Sequence, residues 1–308
     1  MEARALRYFQ TVAEFGSYSR AAEFLRISQP AISRQVARLE QELGSPLFLR
    51  HGHGVSLTPA GQILLERAQV ILRQIEQTKA AIREGGGPAG VVTLAVPPAA
   101  GHFLVPALAA RFAVALPNVF LKIVSGYSGY IEEWLVRGRV DLACLHDPLP
   151  QRGFAVTPLV QEEVFLVGRA GRFPFRRDHA RIADLARVPL ILPGRPNSSR
   201  RLLDADTAKA GISPAVAMEV DDPTVIRALL KEGAGCSLLT QGSIEADLRL
   251  GELQAIPFRP RLHWRLAMVR AAGQERSEVA ASLARMIGET ARELTRSAAW
   301  PGLCLLPA

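Results

Sequence analysis

Apolar residues recur at helical spacing from the start of the chain. Leu6, Phe9, Val12 and Ala13 share one face, and Ala21, Ala22 and Leu25 form another after a cap at Ser17 or Ser19. A third helix is predicted from Ser28-Gln29-Pro30, where Ser can cap and Pro suits the first turn; Ile32, Val36, Leu39 and Leu43 form its stripe until Gly44 stops it. Only Arg26-Ile27-Ser28 separates the second and third helices, a turn tight enough for a helix-turn-helix. Residues 47–57, with Gly52 and Gly54 between short apolar stretches, predict a two-stranded wing.

From Thr58-Pro59 the pattern is helical again. Leu57, Gly61, Leu64, Ala68, Ile71, Ile75, Thr78 and Ile82 alternate steps of four and three, a heptad seam of about three and a half repeats. Either this helix pairs with a second copy or it packs along its own domain; a helix this long on so small a domain has little else to bury against, which favours the pair. Gly85-Gly86-Gly87-Pro88 is expected to end it. Strands then alternate with helices. Strands are predicted over 91–96, 120–124, 141–145, 164–167, 190–192, 216–220, 236–240 and 266–269, and helices over 103–115, 130–137, 198–210, from 224, and over 278–294. This βαβ patterning implies an α/β fold with a mostly parallel sheet.

Length allows one small and one larger domain, and composition is ordinary for a globular chain. Cys144, Cys236 and Cys304 are odd in number and far apart, which fits free thiols rather than a disulfide framework or a CxxC site. Met1 leads into a charged, mixed segment without an apolar export core, and no apolar run of spanning length lacks Arg or Lys, so a cytoplasmic protein without a membrane partner is expected. The net charge of +8 hints at a polyanion. Within residues 1–58, however, seven Arg against five Glu leave only +2, so the placement of those arginines matters more than their number.

The stripe of the third helix faces inward, which leaves Gln29, Pro30, Ser33, Arg34 and Arg38 outside. An Arg fork matches guanine or phosphate, Gln can pair with adenine, and Ser serves either. Taken alone, this could equally be a solvated face with two arginines; the preceding turn and the wing residue Arg50 favour double-stranded DNA. His51 and His53 are too few for a metal site. The chain carries no GxSxG, HExxH, Walker A or GxGxxG element, so neither an enzyme nor a cofactor is expected, and Asp221-Asp222 reads as a turn and helix cap before Pro223. An exported solute-binding protein would have no use for residues 1–84.

Arg4-Ala5-Leu6-Arg7-Tyr8-Phe9, Gly16-Ser17-Tyr18-Ser19-Arg20-Ala21-Ala22, Ser28-Gln29-Pro30-Ala31-Ile32-Ser33, Gly44-Ser45-Pro46-Leu47-Phe48-Leu49-Arg50 and Leu57-Thr58-Pro59-Ala60-Gly61 resemble, in order and without gaps, the N-terminal pattern of LysR-type transcriptional regulators. Residues 126–145 and Glu162-Glu163-Val164-Phe165-Leu166-Val167 are similar to the subgroup containing the nitrogen assimilation control protein. The resemblance implies a winged helix-turn-helix over 1–58, a dimerising linker helix over 59–88, and an effector domain over 89–308. That domain resembles the two-lobed periplasmic binding-protein fold, with lobe I at about 89–162 and 267–308 and lobe II at about 163–266.

It further implies DNA contacts from Ser17, Ser19, Arg20, Ser28, Gln29, Pro30, Ser33, Arg34 and Arg38, with Arg50 and the wing beside them. The implied partners are RNA polymerase, a homo-oligomer built as a dimer of dimers, and an anionic or polar small-molecule effector. Ligands of such lobes bind outside the carboxyl ends of the strands, which points to Pro98-Ala99-Ala100, Tyr127-Ser128-Gly129, His146, the stretch 193–200 with Arg200, and Thr224. Many relatives carry a hydroxyl where this chain has Ala99. Ser128, Ser198 and Ser199 are read either as effector contacts or as helix caps, and Arg195, Arg200 and Arg201 either as an anion clamp or as surface groups.

Overall fold

The computed structural model describes residues 1–52, 54–83, 90–151, 153–173, 175, 177–195, 197–271 and 277–304. His53 and Gly85-Gly86-Gly87-Pro88, named above, lie outside them. The chain forms two compact units: residues 1–91 with 136–139, and residues 92–135 with 140–308.

The first unit is a three-helix head with a wing. Helices α1 (Ala3–Phe15), α2 (Tyr18–Leu25) and α3 (Gln29–Leu43) bury Leu6, Phe9, Val12, Ala21, Ala22, Ile32, Val36 and Leu39 in one core. Ser17 caps α2 by accepting from Arg20 N, and Arg26, in the left-handed conformation at φ 55°, closes that helix and sets up the turn into α3. Strands β1 (Phe48–His51) and β2 (Gly54–Leu57) pair antiparallel, Phe48 opposite Leu57. Glu40 on α3 accepts from Leu47 N at 2.7 Å and Phe48 N at 3.3 Å, fastening the wing to the helix. Thr58 then starts α4 (Pro59–Arg83): its hydroxyl accepts from Gly61 N and donates to Pro46 O. Gly61 is required there, because a Cβ would collide with Leu47 O.

The heptad reading of α4 needs correction over its first half. Leu64, Ala68 and Leu72 are buried in the head's own core and Ile71 packs against it. A small domain has too little apolar surface to leave a neighbouring helix face unused. The later residues Ile75, Thr78 and Ile82 are progressively more open, and Ile82 is 74% exposed.

The second unit is built on a nine-stranded sheet in the order β4-β3-β5-β10-β6-β9-β7-β8, with β11 (Leu303–Cys304) added to β6. Lobe I holds β3 (Gly90–Val96), α5 (Pro98–Ala115), β4 (Val119–Ser125), α6 (Ser128–Val136), β5 (Leu142–His146) and α10 (Glu278–Arg296). Its core runs through Leu94, Leu104, Leu108, Phe112, Leu142 and Ile287. By length and composition α5 could span a membrane, but Leu104, Leu108 and Phe112 lie in this core. Lobe II holds β7 (Leu190–Leu192), α7 (Ser198–Lys209), β8 (Val216–Glu219), α8 (Pro223–Glu232), β9 (Cys236–Thr240) and α9 (Gln241–Arg249). Its strands pack on Leu166, Leu203, Ile226, Leu230 and Ile244.

The two lobes are joined by β6 (Phe154–Arg169) and β10 (Leu253–Ala271), which run antiparallel along each other through both. The patterning finds only an apolar run towards the C-terminal end of each, 164–167 and 266–269. In the rest of β10 buried residues are interleaved with exposed ones, in β6 the buried Glu162 and Glu163 interrupt the apolar pattern, and the pairing depends on a partner about a hundred residues away. Parallel pairing holds within each lobe, β3 with β5 and β7 with β8 and β9, while the two crossing strands pair antiparallel with β5 and β9 and make the sheet mixed.

Candidate functional site

On the head, the outward face of α3 presents Gln29, Pro30, Arg34 and Arg38 exposed and Ser33 half-buried. Within the described residues the side chains of Gln29, Ser33, Arg34 and Arg38 make no ion pair or hydrogen bond. Ser28 occupies the N-cap position without using its hydroxyl to cap. Ser19 and Arg20 are exposed at the start of α2, with the Arg20 guanidinium over Phe15 at 5.7 Å, while the Ser17 oxygen is spent on the cap. Arg50 projects from β1 over the Tyr18 ring at 5.5 Å, which fixes the cation without neutralising it. Burial and then the Glu40 carboxylate raise the Tyr18 phenol, outweighing Arg50, so Tyr18 stays a neutral platform. One face thus carries a cluster of uncommitted donors on a rigid helix with a braced arginine beside it.

In the second unit a cleft of about 390 Å³ opens between the lobes. Ala99, Ser128, His146 and Thr224 line it, as the residue reading expects. Ser128 Oγ and Ser198 Oγ meet across it at 2.5 Å, tying lobe I to lobe II. His146 Nε2 pairs with the Glu162 carboxylate on β6, buried to 1%, and its ring lies 5.9 Å from Trp264 on β10. Apolar cover comes from Pro97, Pro193, Ile226 and Leu238.

Other expected contacts are not in the cleft. Pro98-Ala99-Ala100 is the first turn of α5, because Pro preorganises a helix start; this turns Ala100 into the lobe I core, fully buried. Gly129 sits in the first turn of α6 and is not among the lining residues. Arg200 is the larger correction. Its guanidinium is buried and spent on Asp204 (3.1 Å), Glu219 (2.8 Å) and the Pro193 carbonyl (3.2 Å), so it braces α7 against β8. Arg195 likewise pairs with Asp204, and Arg201 donates to the Asp147 carbonyl. The α7 cap is Asn197, which accepts from Ser199 N and Ser199 Oγ, not a serine. Asp222 caps α8 through Thr224 N and Val225 N, as its place before Pro223 implies.

The sequence reading missed Asn197, Ser237 and Trp264 in the lining. Asn197 lies inside the expected stretch 193–200 and its fit to a cap was the available signal. Ser237, inside an apolar strand, and Trp264, on a crossing strand, offered none.

Behind the cleft, the Asp247 carboxylate on α9 is 1% exposed and holds Arg227 (2.7 Å) and Lys231 (2.6 Å) of α8. Burial pushes the carboxyl up, but the hydrogen bonds and charges of the two cations outweigh it and hold it below its usual range. A depressed folded pKa contributes stability that is complete above the unfolded value of about 3.9 and is lost as pH falls through the folded value. Asp247→Asn should therefore lower the melting temperature at pH 7, and the gap from wild type should narrow below about pH 4. A gap that stays constant from pH 7 to pH 3 would contradict this role.

Residues 3–62 match the model for the bacterial regulatory helix-turn-helix protein, lysR family, and residues 85–292 that for the LysR substrate binding domain. The HTH-type transcriptional regulator BbuR of Bordetella bronchiseptica is 31% identical over 96% of this chain and 92% of its own. The nitrogen assimilation regulatory protein nac of Klebsiella aerogenes is 32% identical over 79% of each chain. Full-length CbnR, solved in complex with its target DNA, superposes with a TM-score of 0.64 at 26% identity, over 95% of this chain and 99% of that one.

Proposed function

Because the chain belongs to the LysR family of DNA-binding transcriptional regulators, we propose that residues 1–58 read an operator, 59–88 pair two copies, and the cleft within 89–308 takes the effector that sets the regulatory state. The observation that carries the reading is the uncommitted donor face of α3, Ser28, Gln29, Ser33, Arg34 and Arg38, beside the braced Arg50. Gln29, Pro30, Ser33 and Arg34 lie at the N-terminal end of α3, the part that reaches base edges when such a helix enters the major groove. Ser17, Ser19, Arg20 and Arg50 hold the flanking backbone. CbnR binds its target DNA as a whole chain of this fold, which supports carrying that mode of binding over. Two such dimers working with RNA polymerase in the cytoplasm complete the reading.

In the cleft, Ser128, His146 and Thr224 are the polar contacts we assign to the effector, with Ala99 as an apolar one. An effector shifts the balance of DNA-bound arrangements only by its differential affinity for them, so DNA must change effector affinity by the same factor.

Substitution on the head tests the DNA assignment. Arg34→Ala should cost about 1–3 kcal/mol and relax preference at one base pair. Arg50→Ala should weaken all duplexes alike and reduce the salt slope by about one. Fluorescence anisotropy against the DNA flanking this chain's own gene and against random duplex measures both, and equal effects of both changes on both duplexes would refute the division of labour.

A further inference from the structure

We propose that the cleft takes an uncharged molecule with an apolar body that offers a hydrogen-bond acceptor, of the carbonyl type, to Asn197 Nδ2. The inference rests on the reading of the cleft as the effector site and names the chemistry of its ligand.

Three polar atoms in the lining are buried with no partner among the described residues: Tyr127 Oη, Ser237 Oγ and Asn197 Nδ2. Ser237 is fully buried and its Oγ is unpaired; Asn197 is 5% exposed and its Nδ2 is unpaired. The amide orientation is fixed, because Asn197 Oδ1 already accepts from Ser199 N at 2.9 Å and Ser199 Oγ at 2.7 Å. Nδ2 is a donor only, so what completes it is an acceptor. Buried donors left unmade are costly, and a ligand that supplies the missing acceptor recovers that cost on binding.

The charges around the cleft argue against an anion. Arg200 is neutralised by Asp204 and Glu219, and Arg227, which lines the cleft, by Asp247. Arg249 is in the lining and exposed. The α8 start, which could hold a carboxylate, has its Thr224 and Val225 N–H groups occupied by Asp222. Burial, then Asp222 and Asp221, push the Tyr127 phenol well above its usual value, so it stays a neutral hydroxyl in the lining. An ionised carboxylate would lose its water there without gaining a buried counter-ion, since among the described residues the cation left unpaired in the lining, Arg249, is exposed. A cleft of this size with mostly apolar walls and a few fixed donors suits a small neutral carbonyl compound.

The test uses the full-length protein at pH 7.5 and a matched panel of aryl and branched-alkyl carboxylates of six to ten carbons, each with its primary amide. Thermal shift and then calorimetry are expected to find binders among the amides, the tightest binding at least about tenfold better than its own acid. Asn197→Asp keeps the α7 cap, since Asp caps as well as Asn, and removes the donor; it should weaken that amide at least about tenfold with an unchanged circular dichroism spectrum. Acids binding more tightly than amides, Asn197→Asp binding the amide like wild type, or no binding by any member at millimolar concentration would each overturn the inference. Ser128→Trp, which fills the cleft, separates the two readings. If it abolishes binding while acids win, only the ligand class falls; if it leaves binding unchanged, the cleft itself is the wrong site.

Discussion

Ile75→Asp together with Ile82→Asp is expected to turn the protein into a folded monomer and to weaken its binding to DNA flanking its own gene by about 100-fold or more. The head's core ends on α4 at Leu72, yet the helix continues to Arg83, about 16 Å further at 1.5 Å per residue. Val70, Ile71, Ile75 and Thr78 line an open groove, and Ile82 is 74% exposed. Apolar residues at steps of four and three on a surface helix suit cover by another helix, and the occupant we propose, carrying the matching stripe, is a second copy of α4. Two carboxylates in that seam would be buried without partners, which the paired state cannot absorb, whereas in a lone helix they face water. Ile71 is left intact because it also packs on the head. DNA affinity follows, since two linked heads bind a two-part site by about 10²–10⁴ more than one head does. Sedimentation velocity and anisotropy on the double variant decide it. An unchanged, folded oligomer would place the main interface in residues 89–308.

The head was almost fully legible in the sequence because its elements are local: caps, left-handed closures and apolar stripes lie within a dozen residues of what they specify, and Ser17, Gly44 and Thr58 stand where those signals put them. The core strands and helices of each lobe were legible for the same reason, with strands 190–192 and 236–240 matching to the residue. What was lost is long-range. The crossing strands extend beyond their apolar runs because each has the other to pair with, and α9 carries a sparse stripe, Ile244 and Leu248, that reads as a helix only once lobe II is folded around it. At the cleft, the family resemblance and the strand-end rule for its fold pointed to Ala99, Ser128, His146 and Thr224, which line it, but could not reveal that Arg200 is claimed by Asp204 and Glu219. An arginine's availability depends on which carboxylates the fold brings to it, and Glu219 is 19 residues away on another strand.

Trp300→Ala should destabilise the second unit by about 3–5 kcal/mol, the usual cost of removing a fully buried large aromatic. The sequence reading ends its last helix near residue 294 and gives Trp300 no place, yet only 1% of it is exposed. The indole stacks on Phe103 of α5 at 5.6 Å and 14° and covers Gly242 at the start of α9, where a Cβ would strike both rings. Phe103 belongs to lobe I and Gly242 to lobe II, so the side chain plugs the seam between them. From there the chain continues to Gly302, whose carbonyl accepts from Glu163 N, and to Leu303, which pairs with Glu162 on the crossing strand β6, the residue whose carboxylate holds His146. Removing the ring therefore opens a cavity at the joint on which both lobes rest, where neither can collapse without moving the other. Trp300→Phe should cost clearly less, because it keeps the stack and Trp300 Nε1 makes no hydrogen bond that would be lost. Urea denaturation followed by circular dichroism gives the difference directly. A loss under about 1 kcal/mol for Trp300→Ala, or equal losses for Ala and Phe, would show that the joint is held by the crossing strands alone.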